Sequence, residues 1–281
     1  MGESFDLPES PQLQEQQGQS YPKLVAIMQR LLAPDGCPWD REQSYDSLRK
    51  YVLEEACEVI DAIDSGRPEA LKDELGDLLL QVVFLGELAR RDGTFGPDDV
   101  VRAIVEKLVR RHPHIFGDVQ VSGSEEVLSN WDKIKLTEYG DRGILAGLPR
   151  AFPALARAQR MSEKVSRVGF DWPDARGSRD KVAEELGELD EAVAGGSRER
   201  IESELGDVLF ALVNFARHQG VNAEQALRKT ADRFAGRFAH VEARVKEQHG
   251  GFPLDKNGKP TSGLPLETLD GYWNEAKERE R

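Results

Sequence analysis

The sequence predicts an all-α protein built as two tandem helical units of about five helices each, with helical-bundle cores that carry carboxylate metal sites and are completed by dimerisation. Three observations predict it. One acidic pattern occurs twice at a fixed offset, apolar residues recur at helical spacing, and no segment sustains the alternation of a strand.

The repeat sets the domain organisation. Leu53-Glu54-Glu55-Ala56-Cys57-Glu58 is answered by Ala183-Glu184-Glu185-Leu186-Gly187-Glu188, and Glu74-Leu75-Gly76-Asp77 by Glu204-Leu205-Gly206-Asp207, each acidic position at an offset of 130 residues. The offset becomes 126 for Lys107 and Arg111 against Arg233 and Arg237, and 142 for Trp131 and Lys135 against Trp273 and Lys277, as insertions in loops would produce. Residues 138–149 are Gly-rich, close with Pro149 and read as a linker. The helical units are therefore placed at 21–137 and 150–281, behind a disordered tail at 1–20 that is rich in Gln, Glu, Ser and Pro.

Between Ser47 and Ile63, Val52, Leu53, Ala56, Val59, Ile60 and Ile63 make one apolar stripe at helical spacing. Ser65-Gly66-Arg67-Pro68 stops that helix and starts the next, as Ala194-Gly195-Gly196-Ser197 does in the second copy. The polar, Gly/Pro-rich run from Lys246 to Gly263 predicts a loop able to move over a site.

Composition narrows the function. Asp and Glu number 51 against 38 Lys and Arg, and the resulting net charge of −13 repels a phosphate backbone or an anionic membrane surface. Nucleic acid and membrane are thus excluded as partners, and a polyanionic substrate would need metal ions as mediators. The apolar run Leu78 to Leu88 is too short to span a bilayer. The two cysteines, Cys37 and Cys57, lack CxxC spacing and suit a reducing compartment, so a cytoplasmic location is expected.

The acids are spaced to converge. Residues three apart on a helix sit about 60° apart around its axis, so Glu55 shares a face with Glu58, and Glu74 with Asp77. Gly66 lies eight residues from both Glu58 and Glu74 and eleven from both Glu55 and Asp77; Gly196 stands in the same relation to Glu188, Glu204, Glu185 and Asp207. In an antiparallel hairpin, residues equidistant from the turn lie at one height, so four acids should meet between two helices, twice. Such a cluster repels itself unless protonated or bridged by cations, and an all-oxygen set suits Mg²⁺ or Mn²⁺ rather than zinc. Asp77 and Asp207 lie in segments apolar on nearly every side, which predicts buried carboxylates that need a partner, and helices covered by the other half or by a second chain. A homodimer is the expectation.

At this point the residues resemble the MazG family of nucleoside triphosphate pyrophosphohydrolases, whose signature is EExxE, a spacer, then ExxD. The resemblance covers nearly everything after residue 20, including Cys37-Pro38-Trp39-Asp40 before the first motif and Val168-Gly169-Phe170-Asp171-Trp172 before the second. It implies Mg²⁺-dependent cleavage of NTP or dNTP between the α and β phosphates, giving a monophosphate and pyrophosphate, with broad base specificity and a role in cleaning the nucleotide pool. Carried across, it makes Glu55, Glu58, Glu74 and Asp77 the Mg²⁺ ligands of the first copy, and Glu185, Glu188, Glu204 and Asp207 those of the second. Glu54 and Glu184 would orient ligands or the attacking water, as catalytic residues. The resemblance also points to Arg200, Arg233, Arg237 and Lys277 for the phosphates and Trp273 beside the nucleotide, with Lys107, Arg111, Trp131 and Lys135 as first-copy counterparts. Ala70 stands where the second copy has Arg200, with Lys72 as a substitute, so the second copy is expected to be the more competent site.

Two other readings use the same residues. A carboxylate-bridged di-metal bundle would want Glu-x-x-His on two helices, and neither Glu58 nor Glu188 is followed by His at the third position. A non-enzymatic helical adaptor with degenerate sites is opposed by the intact acids in both copies. His112-Pro113-His114 lacks a third ligand and reads as a helix stop.

Overall fold

The computed structural model describes residues 21–280 apart from 125, 128–129, 132–133, 135–142, 259–260 and 262. The expected tail at 1–20, Lys135 and linker residues 138–142 lie outside the described residues. Each element with described bounds is a helix, as predicted: α1 (Tyr21–Leu32), α2 (Pro38–Arg41), α3 (Tyr45–Ser65), α4 (Pro68–Arg91), α5 (Pro97–Arg111), α6 (Pro113–Phe116), α7 (Ala154–Ser166), α8 (Ala175–Gly195), α9 (Arg198–His218), α10 (Ala223–His249) and α11 (Leu266–Arg279). They fall into two compact units, Met1–Lys135 and Leu136–Arg281. None of the helices is long and apolar enough to cross a membrane among the described residues.

Each unit is organised by a long helical hairpin, α3–α4 in the first and α8–α9 in the second, and local chemistry fixes where each begins and turns. Ser44 opens α3 with a reciprocal cap, the Ser47 amide donating to Ser44 Oγ at 3.2 Å and the Ser44 amide to Ser47 Oγ at 2.9 Å. Asp174 opens α8 by accepting from the Arg176 amide at 2.8 Å. Both hairpins turn on a left-handed glycine, Gly66 at φ +64° and Gly196 at φ +70°, a conformation that a side chain would strain. Pro68 then starts α4, where its missing N–H costs nothing, and Ser197 caps α9 by accepting from the Arg200 amide.

In the first unit, α1 lies on this hairpin and Val25, Met28, Leu48, Val83, Phe84 and Leu88 form the core. Glu87, buried on α4, is satisfied by Gln29 Nε2 at 3.2 Å and by Arg90 at 3.4 Å. In the second unit, α7 packs on the hairpin and Val241, Val245 and Tyr272 join α10 to α11. Gln159 ties α7 to the start of α10, its Oε1 accepting from the Ala223 amide at 2.9 Å.

The α3 helix forms where the stripe predicts it, with Val52, Ala56 and Val59 half-buried, Leu53, Ile60 and Ile63 exposed, and Leu48 and Ala62 buried. One expectation needs correction. The run predicted as a loop from Lys246 is helical as far as His249, and only there does Gly250, at φ +76°, end α10. Tyr272 explains the extra turn, since its hydroxyl donates to Gln248 Oε1 at 2.7 Å and lies 3.1 Å from His249 Nε2. Cys37 and Cys57 are both free thiols.

Candidate metal centres and active site

The hairpins bring the motif glutamates together in both halves. One carboxylate oxygen from each of Glu55, Glu58 and Glu74 lies within 4.8 Å of the others, and Glu185, Glu188 and Glu204 repeat the arrangement. Pairs one turn apart on α3 and α8 thus meet a single acid from the facing helix, with Glu58 opposite Glu74 and Glu188 opposite Glu204 at equal distance from Gly66 and Gly196. Asp77 and Asp207 stand outside these clusters and are exposed, so the reason first given for a partner, burial in an apolar helix, does not hold within the described chain. Asp77 is still near enough for its charge to act on Glu55 and Glu74.

The carboxylates of each cluster disfavour one another's charge. Desolvation, then repulsion from Asp77, Glu58 and Glu54, raises the Glu55 carboxyl above the usual range, and desolvation with Glu58 and Asp77 does the same to Glu74. In the second half repulsion from Glu185 is the main cause of a raised Glu188. Three or four carboxylates that disfavour one another's charge, with only oxygen donors, fit a hard divalent cation.

The two centres differ in one residue that spacing did not single out. Lys181 lies one turn before the EExxE motif and its Nζ reaches Glu184 Oε1 and Glu185 Oε1, both at 2.7 Å, which raises the ammonium above its ordinary range. Its counterpart at the 130-residue offset is Tyr51, whose ring Lys50 approaches at 4.5 Å instead. The second centre therefore holds its own cation against the acids. The spacing of Lys181 to Glu184 and Glu185 was a readable helical signal.

The other predicted residues lie as follows. Glu54 and Glu184 sit beside the clusters on α3 and α8, exposed, and Lys181 holds Glu184. Arg200 is on the first turn of α9. Arg233, Arg237, Trp273 and Lys277 are carried by the α10–α11 pair, where Arg237 forks onto Glu280 and lies 5.7 Å from the Trp273 ring, itself 5.0 Å from Phe234. Arg233 donates to Thr230 at 2.9 Å. Lys107 and Arg111 are on α5, and Trp131 lies 5.8 Å from His112. Apart from Arg200, which shares α9 with Glu204, these basic residues and the glutamates are supplied by different helices.

A second feature that sequence reasoning left unused holds the Val168–Trp172 segment. Asp171 is bound by Arg217, and its Oδ1 lies 2.9 Å from His218 Nε2. Burial would raise this carboxyl, but hydrogen bonds and charge from Arg217 and His218 prevail and hold it below its ordinary range. Trp172 follows, 6.4 Å from the His218 ring and pressed on Gly177 of α8.

Sequence comparison agrees with this geometry. The profile of the MazG nucleotide pyrophosphohydrolase domain matches residues 43–116 and 177–242, one match on each hairpin. The chain is 41% identical over 259 residues, 92% of its length and 95% of the relative's, to the nucleoside triphosphate pyrophosphohydrolase/pyrophosphatase MazG of Thermotoga maritima. It is 42% identical over 264 residues, 92% of its length and 97% of the relative's, to the nucleoside triphosphate pyrophosphohydrolase of Escherichia coli. It also matches, at 40% identity over 91% of its length, half (51%) of the uncharacterized protein YabN of Bacillus subtilis. With its motif hairpin matched twice and relatives aligned along nearly their whole length, the chain belongs to the MazG nucleotide pyrophosphohydrolase family.

Proposed function

We propose that the protein is a Mg²⁺-dependent nucleoside triphosphate pyrophosphohydrolase acting in the cytoplasm as a homodimer, cleaving NTP and dNTP between the α and β phosphates and tolerating several bases. The observation that carries this reading is the recurrence of one three-glutamate cluster on both hairpins of a chain whose named relatives are nucleoside triphosphate pyrophosphohydrolases. Glu185, Glu188 and Glu204 would hold Mg²⁺ in the second half and Glu55, Glu58 and Glu74 in the first, with Asp207 and Asp77 completing each set; Mn²⁺ suits the same donors. When bound, the metal supplies charge neutralisation for the phosphates and a lowered pKa for a coordinated water.

The chain's own residues do the rest. Glu184, held by Lys181, would orient that water, as would Glu54 at the matching position of α3. Arg200, Arg233, Arg237 and Lys277 offer the cationic grip that a chain of net charge −13 otherwise lacks, and Trp273 a flat face for the nucleotide. Lys107, Arg111, Trp131 and Lys135 are the weaker first-half equivalents. Lys181 and Arg200 in the second half correspond to Tyr51 and Ala70 in the first, which favours the second centre as the principal one.

The test is product identification with Mg²⁺ present. Monophosphate and pyrophosphate are expected, and diphosphate with orthophosphate would overturn the mechanism. The double variant Glu185→Gln, Glu188→Gln should lose at least about a hundredfold in kcat, as removal of a transition-state electrostatic group does. Glu55→Gln, Glu58→Gln should lose less.

A further inference from the structure

A cavity of about 480 Å³ opens in the second unit beside the carboxylate hairpin, walled by Met161 and Val165 of α7, Phe170 of the loop and Phe210 of α9. Two buried polar side chains, Ser162 and Asn214, face into it. We infer that this cavity is the nucleobase pocket of the second centre, and that the first half has none at the equivalent place because its core fills it. The identity of the ligand rests on the pyrophosphohydrolase reading above.

The repeat makes the argument. At the 130-residue offset that superposes the acids, Asn214 corresponds to Phe84 and His218 to Leu88. Phe84 and Leu88 are buried in the core of the first unit with Met28. The second half has replaced two apolar core residues by polar ones at the same positions of the second hairpin helix. Such an exchange destabilises a fold unless the polar groups serve a ligand or one another. His218 is answered by Asp171. Asn214 and Ser162 are answered only in part.

Their remaining capacity is directional. Arg217 Nε can only donate, and it lies 2.8 Å from Asn214 Oδ1, so the Asn214 amide nitrogen turns the other way with its hydrogens. Ser162 Oγ donates to the Ala158 carbonyl at 3.1 Å, which leaves its lone pairs to accept. A donor and an acceptor set among apolar and aromatic walls is what the polar edge and flat faces of a base require. Every common base carries both complementary functions, which is consistent with tolerance among bases.

Position fits as well. Asn214 is seven residues beyond Asp207 on α9, on the same stripe and about 10 Å further along the axis, roughly the span of a nucleoside monophosphate. Phe210 lies between them. A triphosphate on the second centre therefore has its base end at the cavity.

The test fills the cavity with apolar bulk, at position 214 with the side chain that the first half carries. Asn214→Phe and, separately, Ser162→Leu are compared with the unaltered full chain in Mg²⁺, with thermal melting as a check of folding. The KM for NTP should rise at least about tenfold, the loss of one or two satisfied buried hydrogen bonds, with kcat within about threefold. Unphosphorylated nucleosides should compete with NTP on the unaltered protein and fail to do so on the variants. A folded variant with unchanged KM and nucleoside competition overturns the pocket. Failure of the unaltered protein to release pyrophosphate overturns the pyrophosphohydrolase reading instead, and direct binding of nucleosides, lost on Ser162→Leu, then still decides the pocket. Should Asn214→Phe not fold, Asn214→Ala removes the donor without adding bulk and carries the same expectations.

Discussion

At the scale of single residues, the glutamate clusters carry their own pH signature. Glu55, Glu74 and Glu188 have carboxyls raised above the ordinary range by desolvation and mutual repulsion. Between the unfolded value and the raised value, the folded chain binds protons that the unfolded chain has released. Stability therefore falls as pH rises through that window and stays lowered above it. Asp171 acts in the opposite sense: its folded value is depressed, so its contribution is present above the unfolded value and is lost as pH falls through the folded one. A divalent cation relieves the cluster repulsion only where the acids are ionised. The melting temperature should consequently rise more on adding Mg²⁺ at about pH 7.5 than at about pH 5, measured against chelator controls. An equal increment at both would mean that the cation acts elsewhere than on these carboxylates. Lys181 sharpens the contrast between halves, because it already neutralises part of the second cluster where Tyr51 leaves the first bare.

At the scale of elements, the segment before α8 is set by a contact between Trp172 and a helical glycine. A Cβ on Gly177 would lie 2.2 Å from Trp172 Cδ1, so Gly177→Ala must drive the indole from its seat, whereas Gly187, on the same helix, has nothing within 4 Å. Alanine gains about 1 kcal/mol of helix propensity at either site, but overpacking costs about 1–3 kcal/mol at the first. Gly177→Ala should therefore destabilise by up to about 2 kcal/mol and red-shift tryptophan emission, while Gly187→Ala should stabilise by up to about 1 kcal/mol. Chemical denaturation with fluorescence detection measures both, and a stabilised Gly177→Ala with unchanged emission would remove Trp172 from this role. This scale also separates what was legible in the sequence from what was not. Helix type, the hairpin turns at Gly66 and Gly196 and the meeting of Glu55, Glu58 and Glu74 all follow from local periodicity and counting. The side of α3 that packs does not, because Leu53 and Leu48 are equally apolar and only the arrangement of α1 and α4 chooses between them. The anchoring of Asp171 by Arg217 and His218, 46 and 47 residues away, is a tertiary fact without a local signature.

At the scale of the whole molecule, the hairpins leave matching apolar stripes uncovered. Leu75, Leu79 and Val82 on α4 and Leu205, Leu209 and Leu212 on α9 follow the same i, i+4, i+7 spacing and are each 40–49% exposed. Leu53, Ile60 and Ile63 on α3, and Leu186 and Val193 on α8, continue the two stripes across each hairpin. Contiguous apolar patches of this kind mark interaction surfaces, and the recurrence of one pattern on both hairpins gives a face that is complementary to another copy of itself. A hairpin laid against its counterpart in a second copy would make a four-helix arrangement that covers the stripe. The proposed homodimer accordingly predicts a sedimenting mass of twice 31.4 kDa at micromolar concentration. Leu205→Glu with Leu209→Glu keeps good helix formers but charges the stripe, and should shift the protein to a single chain without loss of helical circular dichroism. Pyrophosphohydrolase activity should fall at least about tenfold in that variant, because the clusters would lose the partner helices that shield them from water. An unaltered protein that sediments as one chain at every concentration tested, or a charged variant that still pairs, would remove these stripes from the interface.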